Sequence, residues 1–248
     1  MKKHYVIGDV HGEYKTLLAL LEKIPKDSEI IFVGDLIDRG LQSREVVELV
    51  RQRGYQVVKG NHENTVSKCA EPFIEFLEHK RELYTLNPRC IKESSHMATY
   101  LSYGLVTLDK DENYEFNHDN IEGINQLRED ALWMRELPIY IELDAKHDSG
   151  KKVVVSHSHI SHLWHLRHNK SQKEEFAYDV MWNRETNINK EANIFNIYGH
   201  TPQKHGVKIT EEYAIVDTGC CFAHITGYGR LSAYCVESGE VVEAEKVW

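Results

Sequence analysis

Three times in the first 63 residues an apolar run of strand length stops at a glycine and gives way to polar side chains. The three stretches are "HYVIGDVHG", "EIIFVGDLIDRG" and "YQVVKGNHE". Segments of helical period separate them. "EYKTLLALLEKI" sets Leu17, Leu18, Leu21 and Ile24 on one predicted helical face, and "REVVELVRQR" does the same with Val46, Val47 and Val50. Short buried strands alternating with helices are the signature of βαβ units, so the expected class is α/β. Ligands of open α/β sheets bind beyond the carboxyl ends of the strands, and the three tips are expected to converge there.

Strand-like runs resume after residue 137 in "PIYIEL", "KKVVVSH", "NIFNIYGH", "YAIVDTG" and "RLSAYCVES". Residues 64–137 differ. They read as a mostly helical, polar insert in which Ile124, Leu127, Ala131 and Met134 share one helical face and "DKDE" is a solvated turn. A chain of 248 residues buries roughly 70–75% of its unfolded surface, and α/β folds of about this size often remain undivided. One domain over 1–248, with the 64–137 insert packed on it, is therefore expected.

Thirty basic and thirty-nine acidic side chains give a formal charge of −9, which argues against stable nucleic-acid binding. No apolar run approaches the roughly 20 residues that span a bilayer, and no secretory leader is visible. Cys69, Cys90, Cys220, Cys221 and Cys235 contain no C-x-x-C pair, and all five are expected to be reduced space-fillers of a cytosolic protein.

The strand tips carry the chemistry. The first offers Asp9 and His11, which face one side if the backbone stays extended. Asp35 stands at the second, Asn61 and His62 at the third, and His157 and His200 end later strands. A single strand-end Asp or His is commonly a cap; five tips bearing oxygen or nitrogen donors point to a metal site. Donors of this kind without thiolate suit Mn²⁺, with Fe or Zn²⁺ as alternatives. Two divalent ions explain the set better than one, with Asp35 on the central tip as the shared carboxylate. Such a pair clamps the entering and leaving oxygens of an in-line displacement and lowers the pKa of a bridging water from about 15.7 towards about 7.

"GDVHG…GDLIDRG…GNHE" resembles the three-part signature of the phosphoprotein phosphatase family of calcineurin-like metallophosphoesterases. "ELPIYIEL", "VMWNRE", "YGHTP" and "VDTG" extend the resemblance to the phage-lambda-type serine/threonine protein phosphatases over nearly the whole chain, the insert excepted. It implies a β-sandwich of two mixed sheets flanked by helices. By motif it also implies that Asp9, His11, Asp35 and His200 hold one metal, and Asp35, Asn61 and His157 the other. His62 would be the general acid, oriented by Asp38, while Arg39 and Arg184 would grip phosphate oxygens as planar forks. The alternative for Arg184 is a surface ion pair with Glu185 or another acid; the match of Trp182-x-Arg184 to the pattern favours the phosphate role.

The chain departs from the pattern in places. Ser158-His159 follows His157 where the pattern has a small residue and an acid; His157, directly at the strand end, is the expected ligand. The run His159, His162, His165 and His168 reads as a polar face. "ATYLSYG" stands where relatives are glycine-rich, and "DTGCCF" brings two cysteines to a place for small or apolar residues.

Other phosphatase chemistries lack their motifs. No cysteine has an arginine six positions on, "DKDEN" fails the aspartyl-phosphate pattern, and no G-x-x-x-x-G-K-S/T loop is present. A metal-bound hydroxide is thus the surviving nucleophile, and the resemblance implies metal-dependent hydrolysis of phosphoserine and phosphothreonine in proteins, with phosphotyrosine as a secondary substrate, or of a small phosphoester. Dinucleoside polyphosphates and 2′,3′-cyclic phosphates are the alternative substrates of the same site. The tetraphosphatase branch usually has a non-acidic residue at the place of Asp38 and "GNHD" in place of "GNHE". A non-catalytic phospho-partner module is disfavoured by the full ligand set.

Overall fold

The computed structural model describes residues 2–92 and 94–248. The N-terminal half starts β1 (His4–Ile7), α1 (Tyr14–Lys23), β2 (Glu29–Phe32), α2 (Ser43–Arg53) and β3 (Gln56–Val57). β1, β2 and β3 run parallel, as the alternation of strands and helices implied. α2 buries Val46, Val47 and Val50 and ends at Gly54, whose left-handed φ of 64° lets its N–H close on Arg51. In α1 the expected face is shifted: Leu17 and Leu20 are buried, Leu21 packs beside them, and Leu18 is 37% exposed. A run of four leucines around one alanine does not define the register of its own apolar stripe.

The next segment holds α3 (Asn61–Leu77), α4 (Pro88–Lys92), α5 (Ser94–Ser102), the hairpin strands β4 (Val106–Leu108) and β5 (Tyr114–Phe116), and α6 (Ile121–Glu136). The DKDE run forms the hairpin's exposed turn. α6 starts at Asn120, whose side chain accepts from the Gly123 N–H, and it buries Ile124, Leu127, Ala131 and Met134. Phe73 of α3 stacks on Tyr100 of α5 with ring centres 4.0 Å apart.

The C-terminal half adds β6 (Tyr140–Lys146), β7 (Lys152–Ser156), α7 (Lys173–Trp182), β8 (Ile194–Tyr198), β9 (Lys208–Ile209), β10 (Tyr213–Ile215), β11 (Arg230–Cys235) and β12 (Val241–Glu245). Two five-stranded mixed sheets result, ordered β12-β11-β1-β2-β3 and β6-β7-β8-β10-β9. Val6, Ile31 and Val33 of the first meet Val153, Val155, Phe195 and Ile197 of the second in one buried layer. α1, α2 and the insert cover the other face of the first sheet, where Ile7, Phe32, Val46 and Phe73 are buried together. β1 and β2 end beside β8 and β10, so the tips of both sheets open at one edge of the sandwich.

Cys69 and Cys90 are joined by a disulfide with Cα atoms 5.4 Å apart, which corrects the expectation of five reduced thiols. The packing of α4 against α3 brings together two cysteines that are 21 positions apart, and no local spacing rule registers that. The argument from cysteine usage for a reducing compartment falls with it. Cys220, Cys221 and Cys235 remain free. Among the described residues no helix is long and apolar enough to cross a membrane.

Candidate functional site: a carboxylate ringed by imidazoles

The loops at the sandwich edge leave the extended region as soon as their strands stop. His11, Asp35, Asp38, Arg39 and His200 all have positive φ, between 48° and 72°. Non-glycine residues rarely adopt that conformation, and it persists where surrounding structure over-determines it. Asp9 and His11 therefore do not reach the site as alternate residues of a pleated strand. β1 stops at Ile7, and backbone bonds from the amides of Val10 and His11 to the Asp35 carbonyl hold the first tip against the second.

Asp35 lies at the centre. Its Oδ2 is 3.7 Å from His11 Nε2, 3.8 Å from His62 Nε2 and 3.4 Å from His157 Nε2. These separations exceed good hydrogen bonds. Those of His11 and His157 suit donors arranged around a cation, each of which sits about 2.0–2.2 Å from the ion. The tautomers agree. Nδ1 of His11 donates to the Ile37 carbonyl at 2.9 Å, and Nδ1 of His157 donates to the Val33 carbonyl at 2.8 Å. Each bond leaves an Nε2 lone pair facing inward, the arrangement that orients metal-binding histidines. Asn61 Oδ1 is 2.9 Å and His200 Nδ1 3.1 Å from His157 Nε2. The donor set fits divalent cations.

Two overlapping groups share Asp35: His11 and His62 on one side, His157 and His200 on the other, with ligand atoms within 4.8 Å of one another in each. His200 thus stands with His157 and Asn61, which differs from the motif-based division that placed it with Asp9 and His11. It touches Asp9 only through its backbone N–H, 3.2 Å from either carboxylate oxygen. His159 points elsewhere, its ring against Tyr198, Tyr213 and His162, so the choice between the two histidines falls to His157.

Burial in a carboxylate-rich pocket shapes the charges. Desolvation, then repulsion from Asp217 and Asp35, pushes the Asp9 carboxyl well above the usual range. Asp217, also buried, is raised to about 6. Asp35 stays ionised, because His157 and His62 outweigh the penalty of its burial. Burial and neighbouring positive charge lower His11 and His200 to about 3, so both imidazoles are neutral, as ligands must be. Three crowded carboxylates with two neutral imidazoles await positive charge.

Beside them, His62 Nδ1 lies 2.5 Å from Asp38 Oδ2. Asp38, 0% exposed, also accepts from His96 Nδ1 at 2.6 Å and from the Thr99 hydroxyl at 2.5 Å. Burial opposes its charge, but the His62 and His96 bonds hold it down at about 2. His62 is raised to about 9, since Asp35 and Asp38 overcome its own desolvation. A chamber of about 160 Å³ opens above these groups, lined also by Arg39, Arg184 and Phe222. Arg39 lies over the Phe222 ring at 4.8 Å, and Arg184 Nη1 donates to the His200 carbonyl at 3.2 Å. Arg184 forms no ion pair with Glu185 among the described residues.

A family model described as calcineurin-like phosphoesterase matches residues 3–225. The chain belongs to that family. It is a metal-dependent phosphoesterase, an enzyme, and its fold and candidate metal groups accord with that. It is 25% identical over 225 residues to serine/threonine-protein phosphatase 1 of Salmonella typhimurium, covering 88% of this chain and 87% of that protein. It is 26% identical to an asymmetrical bis(5′-nucleosyl)-tetraphosphatase of Oceanobacillus iheyensis, over 96% of this chain and 90% of that one. A solved serine/threonine phosphatase from Saccharomyces cerevisiae shares the fold with a TM-score of 0.57, at 13% identity, over 100% of this chain and 81% of its own.

Four residues of the phosphoesterase site received no role from sequence. Glu63 is fully buried and accepts from the N–H groups of Asp35, Leu36 and Gly60, tying the second tip to the third. Its place three residues after Gly60, the N-cap of α3, is the glutamate half of a capping box, a signal that was available. Asp217 follows an apolar run just as Asp9 and Asp35 do. His96 and Thr99 come from the insert and carry no local signal.

Proposed function

We propose that this phosphoesterase is a phosphomonoesterase that removes phosphate from serine and threonine side chains of proteins, working with two divalent cations, Mn²⁺ foremost. Asp9, His11 and Asp35 would hold one, and Asp35, Asn61, His157 and His200 the other. Cations there would supply the Lewis acidity that activates water for attack on phosphorus. Arg39 and Arg184, which both line the chamber, bind the phosphoryl oxygens and orient them.

The observation that carries the reading is the His62–Asp38 pair. A serine or threonine alkoxide is a poor leaving group and needs a proton as it departs. An imidazolium directed into the chamber by a buried carboxylate delivers that proton from Nε2. A departing nucleotide phosphate, whose second pKa is near about 6, needs no such help. The likeness to a bis(5′-nucleosyl)-tetraphosphatase makes dinucleoside polyphosphate hydrolysis the second reading.

His62→Asn should lower kcat on a phosphoserine peptide by about 10²–10⁴-fold while changing that on p-nitrophenyl phosphate far less, with metal content retained. Equal loss on the alkyl and aryl esters removes His62 as the acid. After chelation and reloading with Mn²⁺, a preference of orders of magnitude for diadenosine tetraphosphate over phosphopeptide overturns the choice of substrate.

A further inference from the structure

A second cavity of about 610 Å³ opens directly from the phosphate chamber, and Arg39, Asn61, His62 and Arg184 line both. It starts at His62, the side from which a protonated alcohol leaves, so it receives the part of the substrate that carries the phosphate. Its lining includes Arg39, Lys68, Arg89 and Arg184 and, among the described residues, no aspartate or glutamate. That is a sharp local departure in a chain with 39 acidic side chains and a formal charge of −9.

Lys68 projects from α3 and Arg89 from α4; both are exposed, and neither has an ion-pair partner among the described residues. The facing wall is aromatic. Tyr178 and Trp182, one turn apart on α7, lie nearly parallel with centres 6.0 Å apart, and Tyr178 is 62% exposed. Asn64, Thr65 and Asn87 add side-chain amides and a hydroxyl that suit an extended backbone.

We propose that this groove is a subsite for an acidic stretch of the protein substrate, with Lys68 and Arg89 pairing with a carboxylate or second phosphate within a few residues of the phosphoserine or phosphothreonine. Tyr178 and Trp182 cover the apolar atoms of that stretch. The assignment rests on the phosphomonoesterase reading. It makes charge near the scissile phosphate, set by residues of the insert, the determinant of substrate choice.

The test uses the full-length, Mn²⁺-loaded enzyme and one phosphoserine peptide with Asp, Asn or Lys at the two positions on either side. The wild type should favour the Asp peptide over the Asn peptide by about fivefold in kcat/KM, as two exposed ion pairs of about 0.5 kcal/mol each imply. The Lys peptide should rank last, and the preference should shrink as ionic strength rises. In Lys68→Gln/Arg89→Gln, kcat/KM on the Asp peptide, taken relative to p-nitrophenyl phosphate, should fall by about the same factor, mainly through KM. Peptides hydrolysed equally whatever their charge, or a wild-type ranking that survives the double substitution, overturn the groove and leave the phosphatase reading standing. Turnover of p-nitrophenyl phosphate and diadenosine tetraphosphate with none of any phosphopeptide overturns both.

Discussion

The edge of the sandwich and the helical insert meet at Asp38 and along the groove beside the phosphate chamber, yet are built by different means. At the edge, each candidate metal ligand sits within a few residues of a strand of one of two five-stranded sheets. Backbone bonds and Glu63 then lock neighbouring tips together, holding strained loop conformations in place. In the insert, position comes from a disulfide, an aromatic stack and helix packing, and the residues that reach the site do so from the middle of α5. In the proposed reaction the edge performs chemistry that any phosphate ester requires. The insert holds one carboxylate of the edge, Asp38, and supplies much of the groove beside it. The strand tips and the groove beside them are thus supplied by two differently built parts of the fold.

The comparison is broken most directly at Asp35. Asp35→Asn should lose at least about a thousandfold in turnover on aryl and alkyl esters alike, roughly 4 kcal/mol of transition-state stabilisation, together with metal affinity. Calorimetric Mn²⁺ titration alongside kinetics checks it. Full activity with one ion lost would remove Asp35 as the shared ligand.

The insert's staple comes next. Cys69→Ser/Cys90→Ser should cost about 3 kcal/mol of stability through the loop of about twenty residues it closes, read as a lower denaturant midpoint. Turnover at the unchanged strand tips should move by much less. A catalytic loss matching that of Asp35→Asn would show that the two regions are not separable.

The smallest effect sharpens the boundary between them. Thr99→Val removes a hydroxyl from Asp38 and should lower turnover of phosphoserine peptides by about tenfold, the worth of one charge-assisted hydrogen bond, with little change on p-nitrophenyl phosphate. The same loss on both esters would mean that Thr99 acts on the fold and not through His62.

The strand tips could be read in advance because their signal is local. An apolar run ending in glycine and a carboxylate, amide or imidazole marks both the element and the place where its polar groups must face, as with Asp9, Asp35, Asn61 and His200. The departures have equally physical causes. The leucine-rich stretch of α1 left its buried face ambiguous, so Leu18 was placed on that face and Leu20 was not. Asp9 and His11 come together through left-handed loop geometry that pattern alone does not encode. His200 joins His157 because β8 lies beside β7, which decides its neighbours more than motif order does.

By itself, then, the sequence determined the α/β class, the strand tips and the donor types they carry, since side-chain periodicity and chain-ending residues act over a handful of positions. Only the tertiary structure decided which donors share Asp35, that Cys69 meets Cys90, and that His96 and Thr99 hold Asp38. Each of those depends on segments far apart in the chain being packed to within an ångström or so, and close packing is a property of the whole fold.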